Sequence, residues 1–115
     1  MNLVKVRKLY RPKASGWVAH NGLELMLADG TRKVFHNSPM VGPTICSYDE
    51  FAESLPVTAK QEITMNLNEV AERIASLLMQ KRKYHVSDFN CEHAVSWVLN
   101  GVSKSPQVKA TIGGG

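Results

Sequence analysis

Cysteine is scarce in this chain: Cys46 and Cys91 are the only two, in dissimilar contexts that make no disulfide framework. That usage suggests a reducing compartment, with a single bridge left open. The opening Met-Asn-Leu-Val-Lys-Val-Arg-Lys lacks the apolar core of a secretory signal. No apolar stretch approaches the ~20 residues that cross a bilayer, so no transmembrane segment is expected. Zinc-finger spacing and the aromatic-interleaved basic motif of an RNA-binding module are both missing. Cys91, His20, His36 and Cys46 show no tight CxxC or HxxxH spacing, so neither a metal nor a cofactor is expected. These absences suggest a soluble, cytoplasmic protein, with contact at a membrane periphery left open.

Acidic residues are outnumbered: 10 Asp and Glu face 14 Lys and Arg, for a net charge of +4. Much of the excess sits in Lys5, Arg7, Lys8, Arg11 and Lys13, with a second cluster at Lys81-Arg82-Lys83. Such runs can hold an anionic surface, whether a phospholipid headgroup or RNA. A solvated strand-and-loop surface is the plainer reading and the favoured one. The length of 115 residues suits one domain, assigned here to residues 1–102, with 103–115 as a flexible polar tail ending in glycines.

Periodicity along the chain predicts an α+β fold, a small antiparallel sheet packed against helices. Residues 2–10 alternate weakly and read as an edge strand. Arg11 to Gly16 reads as a loop, and Trp17 to Leu27 as a strand with Leu23, Leu25 and Leu27 on one face. Asp29-Gly30 is the strongest hairpin signal, leading back through Thr31 to Asn37. A short strand is expected at Thr44-Ile45-Cys46. Ser47 and Glu50 fit a capping box, so a short helix should run to about Ser54, before Pro56. Val70, Ile74, Leu77 and Leu78 share one face of a helix from about Asn66 to Lys81. Tyr84-His85-Val86 reads as extended, and a final helix should run from Asn90 to Asn100, closed by Gly101.

That last helix carries the most informative residues. A cysteine in a first turn faces unsatisfied backbone N–H groups and the positive end of the helix dipole, which favour the thiolate. Asn90 is a good N-cap type ahead of Cys91. His20 and His36 are candidate bases. His93 lies about 200° around the helix from Cys91 and reads as structural or bonded to backbone. His85 reads as a partly exposed packing residue, Glu92 as a favourable first-turn charge, and Cys46 as a small buried hydrophobe.

His20-Asn21-Gly22-Leu23-Glu24-Leu25, then Val34-Phe35-His36, then Asn90-Cys91-Glu92-His93-Ala94-Val95 resemble the H-box and NC-box of the lecithin:retinol acyltransferase (LRAT)-like branch of the NlpC-type, circularly permuted papain-like proteins. Tyr10-Arg11-Pro12 and Tyr84-His85-Val86, ahead of the two boxes, are also similar. The likeness spans residues 3 to 102. It implies a permuted papain-like fold in which Cys91 is the nucleophile, His20 its general base and His36 the orienter of His20. The implied activity is acyl transfer or hydrolysis on an ester or amide, with a small-molecule or phospholipid acyl donor. Asn90 would support the helix start, and the Cys91 N–H would serve an oxyanion hole. Ala94 departs from the phenylalanine common at that position. The membrane anchor some relatives carry after the NC-box is missing, which leaves soluble or peripheral substrates or a chain cut at its glycines.

The hairpin is longer than the family's usual one. A two-residue turn at Asp29-Gly30 would pair Ala28 with Thr31 and set Leu23 opposite His36. Strict alternation then puts His20 and Leu23 on opposite faces. A bulge at Asn21-Gly22, or a break from the ladder at His20, is expected to resolve this. The alternative function is a non-catalytic interaction or regulatory protein, viral or host-interacting in type, that binds RNA, a membrane surface or protein through the basic runs. The residues do not decide its oligomeric state.

Overall fold

The computed structural model describes residues 1–12, 19–86, 88–103 and 105. Ala28-Asp29-Gly30 sets the geometry of the central hairpin. The Leu27 N–H donates to the Thr31 carbonyl at 2.9 Å, and the Gly30 N–H donates to the Leu27 carbonyl at 3.0 Å. Gly30 is left-handed at φ 86°, and the Asp29 carboxylate accepts the Thr31 N–H at 2.8 Å. This is a three-residue connection closed by a left-handed glycine, not the expected two-residue turn. It joins β2 (Ala19–Leu27) to β3 (Arg32–Ser38), and the pairing is Leu23 with Phe35 and Gly22 with His36.

Around this hairpin the sheet grows in both directions. β4 (Gly42–Cys46) continues from β3, and β1 (Leu3–Pro12) pairs with β2. β5 (Thr58–Ile63) adds on the far side of β1, so the antiparallel order is β4-β3-β2-β1-β5. β1 is therefore an inner strand and not the edge its sequence suggested. β5 reads Thr-Ala-Lys-Gln-Glu-Ile and is exposed almost throughout. It joins through its backbone, which explains why no hydrophobic alternation announced it. The expected bulge at Asn21-Gly22 does not form; β2 pairs with β1 in unbroken register from Lys5–Met26 to Pro12–Ala19. The irregularity in that ladder falls between Leu3 and Lys5.

Side chains alternate across this sheet, so it has two different faces. On one, Val6, Leu23, Leu25 and Phe35 pack with Val70, Ile74 and Leu77 of α2 (Leu67–Gln80) and Ala94, Val95 and Val98 of α3 (Cys91–Asn100). On the other, Leu9 and Val34 pack with Phe51 of the short α1 (Tyr48–Ala52). Ser47 caps α1, its hydroxyl accepting from the Glu50 N–H at 3.1 Å. The helix ends earlier than expected, because Glu53 turns left-handed at φ 51° and returns its N–H to the Asp49 carbonyl. The result is a small α+β domain, a five-stranded antiparallel sheet packed against three helices among the described residues. No described helix is long and apolar enough to cross a membrane. Trp17 and most of the tail lie outside the described residues.

A β-carbon on Gly30 would meet nothing within 4 Å, so substitution there tests backbone conformation alone. Gly30→Ala is expected to cost about 1 kcal/mol in urea unfolding, and Gly30→Asn distinctly less, since asparagine tolerates the left-handed region.

Candidate functional site

One consequence of the three-residue turn governs the site. With Gly22 opposite His36, and His20 two residues from Gly22 on the same strand, both histidines project from one face of the sheet. His20 Nε2 lies 2.8 Å from His36 Nδ1, with the two rings edge to face at 87°. His20 is 1% exposed. No bulge is needed to bring the pair together, because the register achieves it.

Phe51 roofs the pair. Its ring stacks on His20 with centroids 5.4 Å apart and meets His36 edge-on at the same centroid distance. Gly22 makes room for that ring: a β-carbon there would stand 2.6 Å from Phe51 Cε1. Arg11, the cross-strand partner of His20, holds the roof in place. Its guanidinium donates to the Phe51 carbonyl and pairs with the Glu53 carboxylate. Burial, followed by the nearby Arg11 charge, lowers the His36 pKa to about 4. His36 is therefore neutral at neutral pH and suited to accept a hydrogen bond.

Cys91 approaches from the other face, at the end of the sheet. Its sulfur is 3.9 Å from the Ala19 carbonyl oxygen, so it rests against the peptide group that joins Ala19 to His20. It opens α3, where Asn90 is the N-cap: Asn90 Oδ1 accepts the His93 N–H at 3.1 Å, and His93 Nδ1 accepts the Asn90 N–H at 3.0 Å. His93 thus completes a reciprocal capping box in the position usually held by glutamate. Burial lowers its pKa, which keeps Nδ1 free to accept. Asn37 ties this helix start to β3, its Nδ2 donating to the Phe89 carbonyl at 2.9 Å and the Asn90 carbonyl at 3.2 Å. Asn90 Nδ2 also donates to Ser105 Oγ, which in turn donates to Glu92, so this part of the tail is bound to the helix.

The histidine pair borders a cleft of about 740 Å³, rimmed by Met40, Val41, Glu50, Glu53 and Leu55. Cys91 does not line it and is itself 1% exposed. Cys46 does line it, half-buried where the sequence suggested a buried hydrophobe; burial, with Glu50 nearby, raises its thiol pKa. Both cysteines are free thiols. His85 lies exposed, its Nδ1 accepting from the Asp88 N–H. No group of three His, Cys, Asp or Glu side chains among the described residues is placed to hold a metal ion.

The N-terminal basic residues are divided among different roles. Arg7 is engaged by Glu24 at 2.8 Å, Arg11 by Glu53, and Lys5 by Glu62. Lys8 projects from the opposite face, over the Tyr10 ring, and Lys13 lies outside the described residues. Gly22, Asn37, Phe51 and the supporting role of Arg11 were not read from the sequence as parts of a site. Only Gly22 carried a signal, since glycine inside a strand marks a close approach. Comparison with family models, with curated proteins and with solved structures finds no match for the chain.

Gly22→Ala should push Phe51 off the histidine pair and destabilise the fold by about 1–3 kcal/mol, as overpacking does; urea unfolding and the His20 and His36 ring resonances would read it. His36 gives a pH signature. The unfolded chain protonates this imidazole near 6.5, whereas the folded protein resists until about pH 4. Stability should therefore fall as pH drops through that window, by at most about 3 kcal/mol before solvent screening reduces it. Urea midpoints measured from pH 7 to pH 4 should show this decline, and His36→Gln should flatten it.

Proposed function

We propose that this protein is a cysteine-dependent acyl-transfer enzyme, an acyltransferase or hydrolase working through a Cys91 thioester. The observation that carries the reading is the hydrogen bond between His20 and His36, with the residue just ahead of His20 offering its carbonyl oxygen 3.9 Å from the sulfur of a helix-initial cysteine. Nucleophile catalysis needs a base at the thiol and a third group to hold that base. Here His20 Nε2 is engaged by His36, so its exchange with the thiol uses Nδ1. A neutral His36 accepting through Nδ1 suits both states of His20. It accepts Nε2–H when His20 is the free base, and it still accepts when His20 is imidazolium. A cationic His36 could do neither, which gives its lowered pKa a chemical purpose.

The steps follow. His20 takes the thiol proton, and the sulfur attacks an ester or amide carbonyl. The oxyanion meets first-turn N–H groups of α3, that of Cys91 among them. His20 returns the proton to the leaving alcohol or amine. Water, an alcohol or an amine then attacks the thioester by the same route in reverse. Since the sulfur is buried, the site must open before a substrate carbonyl reaches it. The order of elements, a histidine-bearing hairpin followed by a cysteine-bearing helix, favours the permuted papain-like version of the fold and the LRAT-like family. A phospholipid or smaller ester is the donor class implied.

A second reading is a non-catalytic module for anionic surfaces. Lys81, Arg82 and Lys83 are exposed, and the β3–β4 turn beside them carries Met40 and Val41, 91% and 71% exposed. One experiment separates the two readings: iodoacetamide alkylation from pH 4 to 9, with Cys91 and Cys46 followed separately by peptide mass spectrometry. Cys91 should react as a thiolate below neutral pH, and His20→Ala should lower its rate at pH 6 by at least tenfold, leaving Cys46 unchanged. An ordinary thiol titration at Cys91, indifferent to His20, would remove the enzyme reading and leave the anionic-surface module.

A further inference from the structure

Two segments distant in sequence meet beside β4. A β-carbon on Gly42, the first residue of that strand, would stand 2.8 Å from the Arg82 carbonyl oxygen, so the β3–β4 turn and the segment after α2 pack closely. The turn carries Met40 and Val41 out into solvent, and the segment carries Lys81, Arg82 and Lys83. Met79 and Val86, which flank the basic run in the chain, are 82% and 70% exposed. Lys81, Arg82 and Lys83 form no ion pair among the described residues, and Asp88, the acid between Met79 and Asn90, is held against His85. Single exposed apolar side chains are ordinary, but a group of them bordered by charge of one sign marks an interaction surface.

We infer that this surface docks on an anionic lipid bilayer. Met40 and Val41 enter below the headgroups, and Lys81, Arg82 and Lys83 stay at the level of the lipid phosphates and carboxylates. A bilayer interface takes both kinds of side chain together, apolar ones at depth and cations at the headgroups. Single-stranded RNA would use the cations but asks for aromatic faces on which bases stack. Phe89, the aromatic beneath the Arg82 guanidinium at 4.2 Å, is buried and offers none. Met40 and Val41 also rim the cleft bordered by the histidine pair, so docking turns the mouth of that cleft toward the lipid. The two acids of the rim are engaged within the protein, Glu50 by the Ser47 hydroxyl at 3.1 Å and Glu53 by Arg11. The inference rests on the anionic-surface reading above, whose partner it names, and it is indifferent to whether Cys91 is catalytic.

The test is co-sedimentation of the full chain with vesicles of phosphatidylcholine and phosphatidylserine, and with phosphatidylcholine alone. Binding should require the anionic lipid and weaken as salt rises. Met40→Ser combined with Val41→Ser should weaken it about tenfold, through lost apolar burial. Lys81→Asn combined with Lys83→Gln should do the same through lost charge, about tenfold. Asparagine is chosen because residue 81 is left-handed at φ 53°, and Arg82 is kept because it covers Phe89. Lys8→Gln combined with Lys60→Gln removes equal charge from the far side of the sheet and should change binding by less than about twofold. Urea midpoints establish that each variant is folded. Binding that ignores the Met40–Val41 pair, or that the Lys8–Lys60 pair weakens as much as the Lys81–Lys83 pair, is general charge attraction and would overturn the proposal. Labelled poly(U) is titrated in parallel. Poly(U) binding without vesicle binding would overturn the bilayer and keep the anionic-surface reading, and binding to neither would remove both. Cys91→Ser should dock like the wild type, so the enzyme reading stands or falls on the alkylation experiment alone.

Discussion

A single residue of turn length underlies the candidate site. Had Asp29-Gly30 closed the hairpin as a two-residue loop, His36 would face Leu23, and the two histidines would point to opposite sides of the sheet. The extra residue shifts the pairing by one, sets His36 against Gly22, and brings His20 and His36 onto one face at hydrogen-bonding distance. Because the side-chain period of a strand is two, there is no intermediate arrangement. Everything else around the pair builds on that register: the Phe51 ring fits only because position 22 is glycine, and Arg11 reaches α1 only because it pairs across from His20.

The sheet divides labour between its faces. One holds the histidines under an aromatic roof, where burial and then the Arg11 charge lower the His36 pKa. The other carries the larger apolar core, and through it the position of α3. The thiol belongs to this second face by its helix, and its sulfur lies 3.9 Å from the carbonyl oxygen of Ala19, the residue ahead of His20. Asn37 couples the two sides. It follows His36 directly in β3, and it donates to both carbonyls just ahead of Cys91. A shift of β3 therefore moves the imidazole pair and the start of α3 together.

The main segments were legible in the sequence where a local rule operates. The apolar spacing of Val70, Ile74 and Leu77 marks α2, the Ser47–Glu50 pair marks the start of α1, and Asn90 with Gly101 brackets α3. The reciprocal cap by His93 follows the same geometry with an unusual residue type, and it agrees with the reading of His93 as bonded to backbone. β5 escaped because its side chains from Thr58 to Glu62 are exposed and carry no apolar period. Arg11 escaped because an arginine paired to a distant glutamate looks, in sequence, like any surface cation.

By itself, the sequence determined the α+β class, most of the strands and helices, and the three residues around which a thiol chemistry could be imagined. Each of these rests on neighbours within about one or two turns of chain, where propensity and capping operate. The tertiary structure decided the register, the roof of Phe51 and Arg11, the neutral state of His36, and which basic residues were already paired. Those depend on contacts between different segments of the chain, 16 positions apart for His20 and His36 and 40 for Arg11 and Phe51, and a one-residue slip in strand pairing is invisible to local rules yet reverses the face on which every side chain stands.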